Sequence, residues 1–111
     1  ACQAIAKRAG MGVVREYVGH GIGHDMHEDP LVPNYGHAHW GLKLEPGMVI
    51  AIEPMITLGT RKTRVGDNGW TVYTRDGLAA AHFEKTVAIT EDGPVLVSVE
   101  PDHRRPVPDD A

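Results

Sequence analysis

The chain reads as an α+β domain, with one N-terminal helix followed by a mainly antiparallel sheet. Three observations predict it. Residues 1–9 are helix formers throughout, and Gly10 follows as a stop. Downstream, segments of strand length recur: the apolar run Met48–Ile56, then Trp70–Thr74, Ala79–Thr90 and Val95–Ser98. The turn signals Asp76-Gly77 and Asp92-Gly93 separate the later ones.

Each element has a reason in the residues. The opening Ala1-Cys2-Gln3-Ala4-Ile5-Ala6-Lys7-Arg8 reads as the middle or end of a helix. It has no cap before it and no basic start followed by an apolar core, so it is no signal peptide, and the chain is expected to begin inside a larger protein. Val13, Val14, Tyr17 and Val18 suggest a short extended piece. The next stretch, Val18 to Pro30, packs three glycines, three histidines and three carboxylates into thirteen residues. Glycines at every second position argue against a helix and predict a tight, loop-like passage with His20 at one end and His27 at the other. Pro30, Pro33, Asn34 and Gly36 continue as loop, as do His37, His39 and Trp40. After the turn Glu45-Pro46-Gly47, the run Met48–Ile56 is a strand that ends or bulges at Pro54, which has no N–H for a ladder. Gly59 to Gly69 is polar and loop-like, whereas Ala79–Thr90 reads as one long strand. Residues 1–99 form one domain without internal repeats, and 100–111, with Pro101, Pro106 and Pro108, form a mobile tail.

Composition narrows the function classes. The 111 residues are 41% hydrophobic and 23% charged, which suits a small soluble domain with a core. The net charge of -4 and the lack of a basic run argue against nucleic acid as a partner. No apolar run approaches the roughly 20 residues of a membrane span. The single cysteine, Cys2, forbids an intrachain disulfide and is compatible with a reducing, cytoplasmic setting.

Two glutamates stand in apolar company. Glu53 lies inside Val49–Ile56, and Glu84 lies in Phe83-Glu84-Lys85-Thr86-Val87-Ala88-Ile89. A buried carboxylate is normally paired, protonated or bound to a metal. Taken singly, either could equally be exposed on a half-solvated strand or paired with an arginine. Strand alternation puts His82, Glu84 and Thr86 on one face and Phe83, Val87 and Ile89 on the core face, which Lys85 interrupts. Together, His20, His27, Glu53 and Glu84 offer imidazole and carboxylate donors, a set suited to Mn, Fe, Co or Zn and unsuited to a thiolate site. Glu28 is either a ligand or an anchor of its loop. His24, His37 and His39 read as solvated, and Trp70 as a core residue.

The segments His20-Gly21-Ile22-Gly23 and Met26-His27-Glu28-Asp29-Pro30 resemble the pita-bread metallopeptidases. Val32-Pro33-Asn34-Tyr35-Gly36, Ile52-Glu53-Pro54-Met55, Gly69-Trp70-Thr71 and His82-Phe83-Glu84-Lys85-Thr86 narrow the likeness to the type I methionine aminopeptidases, from about Gly19 to Ser98. The resemblance implies the C-terminal half of a pita-bread fold, a mainly antiparallel curved sheet with a flanking helix. It implies two divalent metal ions, with His20, Glu53 and Glu84 among their ligands, Glu53 also in proton transfer and Glu84 as the bridge. His27 is implied as a catalytic histidine that contacts the peptide without binding metal, and Met26 and Trp70 as the lining of a methionine pocket. The implied substrate is the N-terminal methionine of nascent polypeptides, which leaves ribosome association of the parent enzyme open. The family usually has Phe at Met26 and His at Lys85. It also uses two aspartates and a further histidine from a preceding segment; only eighteen residues precede Gly19 here and none is Asp. Three of five expected ligands are therefore present, and the chain by itself is expected to be inactive or a very poor peptidase. A proline-directed aminopeptidase or dipeptidase of the same fold is the alternative enzyme. A non-catalytic pita-bread binding module is the alternative from another class.

Overall fold

The computed structural model describes residues 1–98; the tail expected from residue 100 lies outside the described residues. Helix α1, Cys2–Arg8, closes where the sequence says it should. The Gly10 N–H donates to the Lys7 carbonyl at 3.1 Å and the Met11 N–H to the Ala6 carbonyl at 2.9 Å. This double closure needs a left-handed residue just past the helix, and Gly10 provides it at φ +70°. Lys7 and Arg8 occupy the last turn, at the negative end of the helix dipole.

The strands are β1 (Gly12–Val13), β2 (Gly19–Gly21), β3 (Glu28–Val32), β4 (Val49–Ile52), β5 (Met55–Thr57), β6 (Thr63–Val65), β7 (Val72–Thr74), β8 (Ala80–His82), β9 (Lys85–Thr90) and β10 (Gly93–Leu96). A five-stranded sheet runs β10-β9-β4-β2-β3, a three-stranded sheet runs β1-β5-β8, and β6 and β7 form a separate hairpin. Every pairing is antiparallel. The buried apolar core is small, made of Ala6, Val13, Val14, Ile50 and Ala51.

Two strand pairs pass from the large sheet into the small one, and both break at the same level. Ile52 on β4 pairs with Lys85 on β9, and Met55 on β5 pairs with His82 on β8. Glu53-Pro54 therefore lies opposite Phe83-Glu84. The break at Pro54 follows from its missing N–H. Its carbonyl still accepts the Phe83 N–H at 3.2 Å, which keeps the two breaks in register. The strand expected over 79–90 is thus two strands, and Phe83, expected to fill a core, is exposed at the junction.

The glycine–histidine stretch also differs from the loop-like passage the sequence suggests. Gly19–Gly21 is a fully buried strand between β4 and β3. A Cβ on Gly19 would overlap the Ala51 carbonyl, and one on Gly21 the Asp29 carbonyl, so these glycines allow close backbone approach rather than a turn. Only residues 22–27 remain irregular. Pro30, read as loop, sits in β3, which tolerates it because β3 is an edge strand. Inside the polar 59–69 segment, β6 pairs with β7, with Arg64 stacked over the Tyr73 ring at 4.5 Å. The last strand starts at Gly93 rather than Val95, because Gly93 pairs directly with Thr90 across a tight turn.

Candidate metal centre

His20 enters the site from the middle of β2, where it is 8% exposed. Its Nδ1 lies 2.8 Å from the Gly21 carbonyl. A carbonyl only accepts, so Nδ1 is the donor there and Nε2 is the nitrogen turned to the carboxylates. That nitrogen lies 2.9 Å from Glu53 Oε1. Glu53 is 9% exposed, and its Oε1 is buried with no hydrogen-bond donor among the described residues. A cation, whether a proton or a metal ion, is what such a pair can share.

Glu84 reaches the same place from the β8–β9 break. One ligand atom from each of His20, Glu53 and Glu84 lies within 4.8 Å of the other two. One imidazole nitrogen and two carboxylates make a borderline-to-hard donor set, and the buried Oε1, without a hydrogen-bond partner among the described residues, is an acceptor that a cation would satisfy. The residues present therefore fit a divalent transition ion.

The other sequence-derived residues fall into two groups. The His27 ring packs on that of His20, with centroids 4.1 Å apart and planes tilted by 40°. Met26 and Trp70 stand in solvent, 74% and 87% exposed. Glu28 anchors its own loop by accepting the Asp25 N–H at 2.9 Å. His24, His37 and His39 are exposed. Two residues at the site escaped the sequence reading. His82 Nε2 lies 3.4 Å from Glu53 Oε2, so the carboxylate sits between two imidazoles. Asn34 is buried and donates from Nδ2 to the Glu53 carbonyl at 3.0 Å. The face shared by His82 and Glu84 was readable, but the pairing that brings His82 opposite Met55 was not.

Antiparallel strands that gather imidazole and carboxylate donors at a break fit the pita-bread fold class. The chain belongs to metallopeptidase family M24, whose family model matches residues 1–91. It is 55% identical over 97 residues to a methionine aminopeptidase of Clostridium acetobutylicum, covering 87% of this chain and 39% of that protein. It is 53% identical over 93 residues to methionine aminopeptidase 1 of Bacillus subtilis, covering 84% of this chain and 38% of the relative. The crystal structure of methionine aminopeptidase from Thermotoga maritima superposes with a TM-score of 0.86 at 45% identity, covering 89% of this chain and 40% of that one. The chain thus spans about two fifths of the length of the relatives it matches.

Proposed function

We propose that this chain supplies His20, Glu53 and Glu84 to the metal site of a methionine aminopeptidase, which removes the N-terminal methionine of nascent polypeptides. The observation that carries the proposal is the convergence of ligand atoms from His20, Glu53 and Glu84 within 4.8 Å, with His20 Nε2 2.9 Å from a buried Glu53 Oε1 that has no hydrogen-bond partner among the described residues. Two divalent cations drawn from Co, Mn, Fe or Zn are the proposed cofactors. When bound, such ions polarise a carbonyl oxygen and acidify water at neutral pH. Glu53 is sheltered in the strand break, where it can take the proton of the attacking water and return it to the leaving amine. His27, which packs on His20, is the residue proposed to donate to the substrate carbonyl as negative charge develops there. Met26 and Trp70 offer apolar surface to the methionine side chain, and Met is flexible enough to shape itself to it. The proposed setting is cytoplasmic, and among the described residues no helix is long and apolar enough to cross a membrane.

The test is a chimera in which this chain replaces the matching 93 residues of the Bacillus subtilis relative. The expected result is release of methionine from a Met-Ala-Ser peptide and none of the first residue from an Xaa-Pro peptide. A folded chimera that cleaves only the Xaa-Pro peptide, or neither, would overturn the proposal.

A further inference from the structure

We propose that Asn34 is a positioning residue for the metal centre, holding Glu53 through its backbone. The proposal rests on the metal-site reading above and assigns a role to a residue outside the donor set. Glu53 sits where β4 has ended and β5 has not begun, so its carbonyl lacks a ladder partner. A buried carbonyl needs a donor. Asn34, nineteen residues away in sequence, provides it: Nδ2 donates to the Glu53 carbonyl at 3.0 Å. Asn34 is only 6% exposed, in the chain that leaves edge strand β3.

The rest of the Asn34 side chain shows what it is for. Its Oδ1 is buried and has no partner among the described residues. An apolar side chain of similar volume would fill the space without leaving that oxygen unsatisfied. Among the described residues the amide makes one side-chain hydrogen bond, and that bond ends on Glu53. The side chain of Glu53 leaves its backbone at the fixed point, so the amide sets the direction from which Oε1 meets His20 and Oε2 meets His82. Groups that orient metal ligands from outside the donor set carry about 10–100-fold of metal affinity.

The experiment measures Co²⁺ binding to the chimera with the Bacillus subtilis relative, by calorimetry and by its visible absorption. Asn34→Leu keeps the volume and removes the donor, and Asn34→Ala removes both. His20→Ala tests the donor set itself. Thr57→Val is the control for general stability: Thr57 is 1% exposed in β5 and bonds to the Gly59 carbonyl, away from Glu53. Both Asn34 variants are expected to bind Co²⁺ about tenfold more weakly than the parent, with an altered absorption band. Thr57→Val is expected to lower the melting temperature and keep the parent affinity and spectrum, and His20→Ala to lose binding. Asn34 variants that bind as the parent does, or weaken only as much as Thr57→Val, would overturn the assignment. A parent chimera that binds no Co²⁺ would overturn the metal-site reading instead. Asn34 is then decided on the metal-free protein, where Asn34→Ala is expected to displace the ¹³C resonance of the Glu53 carboxyl. An unmoved resonance would remove Asn34 from the site.

Discussion

Which nitrogen of His20 is free is decided by a neighbouring carbonyl. Because Nδ1 donates to the Gly21 carbonyl at 2.8 Å, the ring is locked with Nε2 toward the carboxylates. The adjacent His27 ring has no such place in the donor cluster, and this separates two kinds of loss. In the chimera with the Bacillus subtilis relative, Glu84→Ala removes a donor and is expected to lose metal and turnover together. His27→Ala removes a group that acts on developing charge, so it is expected to keep its metal and lose about a hundredfold in turnover, the scale of one lost oxyanion donor. Atomic emission run beside the peptide assay checks both. Equal metal loss in the two variants would make His27 a ligand.

The strand breaks make the site, and another element is pinned by a carboxylate of a different kind. Asp76 lies in the turn from β7 to β8. Its Oδ2 accepts the Thr60 N–H at 2.7 Å and its Oδ1 accepts the Leu78 N–H at 3.1 Å. The Thr60 bond, then the Leu78 bond, holds its carboxyl below the ordinary aspartate value. The unfolded chain therefore binds this proton more readily than the folded one. The turn's contribution to stability is full above the ordinary aspartate range and is lost as pH falls through the lower, folded value. Asp76→Asn is expected to lower the urea midpoint at pH 7, and the gap from the parent is expected to close in strong acid. A gap that widens on acidification would contradict this. Such elements were legible in the sequence to different degrees. The Asp76-Gly77 turn, the stop at Gly10 and the break at Pro54 could be read because each follows from one residue's own chemistry. Glu53 and Glu84 stood out because carboxylates are costly in apolar runs. The second break at Phe83-Glu84 could not be read, because it answers the first break across the sheet and has no local breaker. The glycines of β2 were misread because close approach to the Ala51 and Asp29 carbonyls leaves the same alternation as a flexible loop. Strand β6 was missed because Thr63-Arg64-Val65 is short and polar and gains its order from the hairpin.

At the scale of the whole molecule, donors and apolar surface are out of balance in a consistent way. The centre has one imidazole and two carboxylates within 4.8 Å. Two divalent cations held close together repel strongly, and shared anionic ligands must offset that repulsion. Three donors suffice for one ion and leave a second weakly held. The surface points the same way. Among the described residues, Ile5, Leu31, Trp40, Trp70 and Phe83 are exposed around a core of Ala6, Val13, Val14, Ile50 and Ala51. An apolar hollow of about 280 Å³, lined by Ile5, Met11, Pro54, Ile56 and Phe83, lies open between the helix and the small sheet. Exposed apolar surface on this scale favours association. The 111 residues by themselves are therefore expected to self-associate as concentration rises, and to release no measurable methionine from Met-Ala-Ser under saturating Mn²⁺ or Co²⁺. Mixing them with a separately made remainder of the Bacillus subtilis relative, which this chain matches over 38% of its length, is expected to recover part of the activity and to reduce self-association. Sedimentation velocity and the peptide assay, run on the same samples, check both halves of the expectation. Full turnover by a monomeric 111-residue chain would show that three donors are enough and that the exposed apolar face needs no partner.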